Sequence, residues 1–344
     1  MKAVTLLIVL LSNQGYWLSN QTGTVSVQWS AKAPLPEADL LWELMIGPVP
    51  LAKGKVAMPA GGKPADVAIK CPEVRVRTNV RWVYRLQERA SGKDLEHGEA
   101  RLQLFPSDLT TNWPALLRDK RLVIWDTPDR LPKLFESAKV PFHRADDATR
   151  IEQQAEVILI GEDQLDDSTF GQSAVVAFAE AGASVMVLRQ EKIAQLAGYA
   201  LTPRPMPSKL AWKLDHPLFN ELSEADLQNW LATTTAAATQ PSSLPAIHLP
   251  ADEPALELAY WPRETPGKKP APIEAAVIVK SVGTGRIVLF QMPLRDVQQD
   301  PRSQILLGNA IAYLLTPPQP TLRPSERETE NKNDQPTTLP GDQP

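Results

Sequence analysis

Ala155-Glu-Val-Ile-Leu-Ile-Gly161, answered after a helical stretch by Ser184-Val-Met-Val-Leu-Arg189, is the part of the sequence on which the fold turns. Each segment is a short unbroken apolar run, the pattern of a strand buried on both faces. Between them, Ser168 to Ala181 has helical spacing, with Val175, Val176, Phe178 and Ala179 on its inner side. Gly182 follows where a helix C-terminus favours a residue without a Cβ. Strand, helix and strand in this order predict a parallel pair joined by a crossover helix.

Working outward, Arg121-Leu-Val-Ile-Trp-Asp126 is another such strand, and a helical stretch runs from about Arg130 to Lys139. Downstream, Ala255 to Trp261, Ala275 to Ser281 and Gly285-Arg-Ile-Val-Leu-Phe-Gln291 complete the strands. Val282-Gly-Thr-Gly285 reads as a hairpin turn between the last two. Arg302 to Leu315 is the closing helix. Residues 121–316 are therefore expected to form an α/β domain with a mostly parallel sheet.

Ahead of it the period changes to two. Thr24-Val-Ser-Val-Gln-Trp29 alternates, and Asp39 to Met45 does so less strictly. Gly54 to Met58, Ala65 to Cys71, Val80 to Glu88 and Ala100 to Phe105 are further strands, separated by Pro- and Gly-bearing turns. Short alternating strands at this spacing predict an all-β, immunoglobulin-like sandwich over 16–107. Residues 108–120 read as a linker and 317–344 as a disordered tail with almost nothing to bury. Thr233 to Ser243 reads as a flexible insertion.

The first fifteen residues admit two readings. Lys2 and the apolar run Ala3 to Leu11 have the form of a signal peptide, which would place the protein in the periplasm or outside the cell. However, Ser12-Asn-Gln-Gly15 is a poor cleavage site, and the same run suits a buried first strand or helix, in which case the location is cytoplasmic. At this length the run does not span a bilayer.

Composition narrows the functional classes. With 36 Lys and Arg against 40 Asp and Glu, a net charge of −4 and a pI of about 5.7, no electrostatic footprint for nucleic acid exists. Cys71, the only cysteine, excludes an internal disulfide and any multi-cysteine metal site. No cofactor motif is present: Gly283-Thr-Gly285 precedes a strand instead of a helix. His97, His143, His216 and His248 share no metal-ligand spacing, and His216, ahead of Pro217 in a turn, is expected to be structural.

Val157-Ile-Leu-Ile-Gly161 with the helix and strand up to Leu188, Asp215-His-Pro-Leu-Phe219, Ala225-Asp-Leu-Gln-Asn-Trp230 and the ending Gly283 to Met292 with Ser303 to Leu314 resemble a known arrangement. They are similar to the glutamine-amidotransferase-like domains carried by some bacterial glycoside hydrolases. The sandwich ahead of them resembles the immunoglobulin-like domain that follows the catalytic barrel in family 2, β-galactosidase-like enzymes. The resemblance spans roughly residues 16–316 and rests mainly on domain order. It implies a flavodoxin- or amidotransferase-like fold for the second half, and a chain corresponding to the C-terminal part of such an enzyme, truncated or encoded separately.

A working amidotransferase needs a cysteine on a strand-to-helix turn. The turns here read Asp126-Thr-Pro-Asp129, Gly161-Glu-Asp-Gln164 and Arg189-Gln-Glu-Lys192, none with a cysteine, so glutamine hydrolysis is not expected. Ser168 is better read as a helix cap than a nucleophile. Glu162, Asp163, Asp166 and Asp167 cluster at the carboxyl end of a central strand, where open α/β sheets bind ligands. Paired carboxylates there suit acid–base work; the structural alternative is a solvated loop whose charges favour the next helix. Trp17, Trp29, Trp42 and Trp82 are expected mostly in the core, and an exposed one would stack on a sugar ring.

The leading expectation is a non-catalytic accessory region that braces or oligomerises a carbohydrate-active enzyme, through a protein partner or self-association. A small glycosidase-type hydrolase using the acidic loop and an exported carbohydrate-binding module are the alternatives.

Overall fold

The structure is a computed structural model that describes residues 4–9, 15–31, 36–59, 63, 65–151, 154–167, 169–207, 209–232, 243–250, 255–262, 273–294 and 296–317. All but the first residue of the expected tail, most of the expected insertion and Ser168 lie outside the described residues.

The first half holds β1 (Val4–Val9), β2 (Tyr16–Leu18), β3 (Thr22–Ala31), β4 (Ala38–Ile46), β5 (Val49–Ala57), β6 (Ala65–Lys70), β7 (Thr78–Glu88) and β8 (Asp94–Phe105). They make a three-stranded sheet, β1-β3-β6, and a five-stranded one, β2-β8-β7-β4-β5. Alternation dictates the packing. Val25, Val27, Val67 and Ile69 of the small sheet meet Leu40, Trp42, Leu44, Trp82 and Leu86 of the large one in a common core, while the intervening residues face out. The N-terminal apolar run thus contributes an edge strand paired with β3.

The second half begins with α1 (Trp113–Leu116), β9 (Leu122–Trp125), α2 (Arg130–Ser137), β10 (His143–Arg144), β11 (Val157–Ile160), α3 (Thr169–Glu180) and β12 (Ser184–Leu188). It continues with β13 (Gln195–Leu196), β14 (Tyr199–Pro205), β15 (Ala211–Trp212), α4 (Glu224–Ala232), β16 (Ser243–Leu249), β17 (Leu256–Tyr260), β18 (Ile273–Val282), β19 (Gly285–Phe290) and α5 (Pro301–Leu315). These strands form one eleven-stranded sheet.

This architecture corrects the expected fold class. An immunoglobulin-like sandwich followed by a mostly parallel flavodoxin- or amidotransferase-like domain is not what forms. Strand outweighs helix throughout, 43% against 19%, in curled half-barrel sheets. In the large sheet β10, β9, β11, β12 and β19 pair in parallel, but every pairing among β13 to β19 is antiparallel. The physical reason lies in burial. Ala276 and Val277 of β18 face one core while Ala275 and Ile278 face the other, so this antiparallel strand has the unbroken apolar run of a parallel one. Hydrophobic periodicity does not separate the two.

Two close approaches fix the sheet against its helices. A Cβ on Gly285 would stand 2.2 Å from the Ala183 carbonyl oxygen and 2.4 Å from that of Ala179, so β19 starts flush against the end of α3. Next to the far edge, where β13 pairs only with Tyr199 and Ala200, β14 carries Pro203 and Pro205, with Pro203 in register with Pro245 of β16. None of these three residues has an N–H to give.

The halves are joined by charge as well as by apolar contact. Tyr16, Leu18 and Phe105 share a core with α5. Arg302 of α5 is fully buried, lies 4.0 Å over the Tyr16 ring, and is bound by Asp300, the α5 N-cap. Arg77 reaches the other way, giving hydrogen bonds of 2.8 and 2.5 Å to the Asp226 carboxylate. Burial raises the Asp226 carboxyl pKa, but the bonds from Arg77 and Ser223 outweigh it and hold the group below its ordinary value.

Candidate functional site

Four parallel strands end at one edge, and the residue after each apolar run is polar: Asp126 after β9, Glu162 just beyond Gly161 after β11, Arg189 and Gln190 after β12, and Gln291 after β19. Asp126, Glu162, Gln190 and Gln291 are buried. Gln190 is the hub. Its Oε1 accepts from Leu165 N at 2.9 Å, its Nε2 donates to the Gly161 and Leu188 carbonyls, both at 2.8 Å, and its backbone N donates to Gln291 Oε1 at 2.9 Å. The loops after β11, β12 and β19 are thereby tied into one unit.

The acidic loop is spent on the same task. Glu162 Oε1 accepts from the buried Leu294 N at 2.7 Å, and Oε2 accepts from Arg130 at 3.0 Å. Arg189 approaches that oxygen to 3.8 Å. Asp163 sits in the left-handed region at φ 55° and its carboxylate accepts from Glu191 N at 2.7 Å. Asp167 accepts from Ala194 N at 3.2 Å, and Asp166 and Asp167 are exposed. The four acids expected as one cluster therefore part company: one goes into the interior, one latches the β12 loop, and two stay at the surface. Among the described residues no group of three or more His, Cys, Asp or Glu is placed to hold a metal ion.

Asp126 Oδ2 accepts from Leu131 N at 2.8 Å and so anchors the start of α2. Its Oδ1 has no hydrogen-bond partner and would lie 2.3 Å from a Cβ at Gly161. Glycine is required there for β9 and β11 to end side by side.

Beside this edge lies a cleft of about 580 Å³, lined by Asp167, Gln190, Lys192, Ile193, Leu201 and Thr202 among others. On the neighbouring strands, Thr202 Oγ1 lies 2.5 Å from His248 Nε2, and Glu274 is paired with Arg204. Sequence reasoning overlooked Gln190, Gln291, Arg130 and Arg189. The signal for three of them was visible: each follows directly on an apolar strand run at the edge where ligands bind.

The remaining candidates have structural roles. His216 Nδ1 accepts from Leu218 N at 3.3 Å, and its ring packs edge-on to Tyr313. Burial depresses its pKa from 6.5 to about 4, opposed by Asp215 and assisted by Arg286 and Lys213. Burial pushes the Cys71 thiol up to about 11, so it is protonated at neutral pH. Trp17, Trp42 and Trp82 are buried in the core between the two sheets of the first half; the side chain of Trp29 lies outside the described residues. No helix among the described residues is long and apolar enough to cross a membrane.

No protein family matches the chain, and no curated relative does. Among solved structures, a Niemann-Pick type C2 protein from the Japanese carpenter ant is 6% identical, covers 30% of this chain and 92% of its own, and has a TM-score of 0.21. The CARDB domain of a Pyrococcus furiosus protein is 11% identical over 30% of this chain and 88% of its own, with a TM-score of 0.22. A family 76 glycoside hydrolase from a bovine Bacteroides thetaiotaomicron strain is 8% identical over 37% of this chain and 26% of its own, again at 0.22. At these scores none of them bears on fold or function.

Proposed function

We propose that this chain is a non-catalytic interaction region, a braced scaffold through which an enzyme is supported or oligomerised. The observation that carries the reading is the use made of the strand-edge carboxylates. Glu162, Asp163 and Asp167 each hold a backbone amide of another loop, which suits a carboxylate fixed in place as a structural acceptor and not one that must be free to meet a substrate. Light scattering on the purified chain, together with a pull-down from its source cells, tests the reading. Self-association or a recovered enzyme is expected; a monomer that recovers nothing overturns it.

A second reading, a small hydrolase working in the 580 Å³ cleft beside Asp167, is favoured by the position of that cleft alone. It requires turnover of an aryl-glycoside or aryl-ester panel that Asp167→Asn abolishes.

A further inference from the structure

The outward face of the five-stranded sheet carries three in-register rows. Lys55, Leu41, Arg85 and His97 lie directly opposite one another across β5, β4, β7 and β8. The next row is Lys53, Glu43, Val83 and Glu99, and the third is Pro50, Met45, Arg81 and Arg101. Residues opposite each other on adjacent strands point to the same face, so these side chains share one surface.

The charges there are placed against each other's interest. Arg81 stands opposite Arg101; like charges in facing positions destabilise a sheet. Five exposed cations, Lys53, Lys55, Arg81, Arg85 and Arg101, share the face with four carboxylates, Asp39, Glu43, Glu99 and, opposite Gln87 in the row of Asp39, Asp94. Lys55 is taken by Asp39 and Arg81 by Glu99. Among the described residues no ion pair claims Lys53, Arg85 or Arg101. This surplus stands on a chain whose overall charge is −4.

The same face is hollowed. One depression of about 660 Å³ is bordered by Met45, Arg81, Arg101 and Gln103. A second, of about 600 Å³, is bordered by Leu41, Lys53, Val83 and Arg85. Both lie on β4 and β7, and half-buried Leu41, Met45 and Val83 give the face an apolar floor between the cationic rows.

From these observations, and resting on the interaction reading above, we infer that the outward face of the five-stranded sheet docks an acidic, extended protein segment whose carboxylates meet Arg85, Arg101 and Lys53 and whose apolar side chains rest on Leu41 and Val83. Guanidinium groups grip carboxylates in a two-pronged fashion, and an unpaired cationic furrow also speeds encounter with an anionic partner. The floor favours a peptide over an acidic glycan. Sugar rings are held by exposed aromatic faces, and Trp17, Trp42 and Trp82 are buried.

The test is an anisotropy titration of the full chain with a labelled peptide of alternating Glu and Val, with polygalacturonate as the glycan counterpart. Binding of the peptide that weakens with added salt is expected, with a loss of about tenfold or more in Arg85→Glu/Arg101→Glu. Lys133→Glu/Lys209→Glu makes the same charge change elsewhere on the surface and is expected to bind like the parent, with circular dichroism confirming that both variants fold. Absence of peptide binding, an equal loss in the two double variants, or binding of polygalacturonate alone overturns the inference. A partner recovered by pull-down that binds Arg85→Glu/Arg101→Glu as well as the parent overturns it too, while leaving the scaffold reading standing.

Discussion

At the carboxyl edge of the large sheet, charge ties loop to loop; at the joint between the halves, it ties one core to the other. The edge carboxylates bond backbone amides, and the guanidinium on Glu162 is partly in water, Arg130 being 42% exposed. At the joint, Arg302 and Asp300 are both fully buried and Arg302 is stacked on Tyr16 of the other half. A buried ion pair contributes little over an apolar substitute of the same shape, but losing one member leaves an uncompensated charge. The joint should therefore be the brittle region and the edge the tolerant one.

Several substitutions and a pH scan can break or sharpen that contrast. Arg302→Met strands the Asp300 carboxylate and removes the stack on Tyr16. A loss of roughly 3–5 kcal/mol is expected in denaturant unfolding, with both halves losing structure together; if the first half stays folded while the second melts, the joint does not couple them.

The next effect is in pH. His216, packed on Tyr313 of α5, is neutral in the fold with a pKa near 4 against 6.5 for the free side chain. Between these values the unfolded chain binds the proton more readily. Stability is then full above pH 6.5 and falls as pH drops toward 4, by on the order of 2 kcal/mol. In His216→Asn, which keeps an acceptor for Leu218 N, this part of the slope in the melting temperature should vanish.

Glu162→Gln retains an acceptor for Leu294 N and loses only the charge opposite Arg130, so about 1–2 kcal/mol is expected by thermal melting. A cost as large as that of Arg302→Met would erase the distinction between the regions. Asp167→Asn, at the surface, should stay within about 0.5 kcal/mol of the parent.

Much of the strand layout was legible because burial writes itself into periodicity. The alternation from Thr24 to Trp29 falls within β3, and the runs before Asp126, Gly161 and Arg189 are strands at those places. Direction was not legible. Ala275 to Val279 of β18 and Ile287 to Phe290 of β19 are as apolar as β11 and β12, since both faces of the sheet are covered in each case, and pairing direction leaves no trace in composition. The site was half visible. The acids at 162–167 stood out by type, but their division between interior and surface depended on Leu294, Glu191 and Ala194. These partners contribute backbone amides, which no side-chain pattern announces. The joint was invisible for a related reason: Arg77 and Asp226 lie far apart in the chain, and nothing near either one names the other.

The prolines at the rim of the large sheet have a consequence for assembly. Leu201 N donates to Ala194 on the β13 side, and beyond it a strand laid beside β14 would find no donor at Pro203 or Pro205. An eleven-stranded sheet with an open rim would invite copy after copy to add on without limit. Along this stretch the sheet is hemmed, so another strand finds little to pair with beside Pro203 and Pro205.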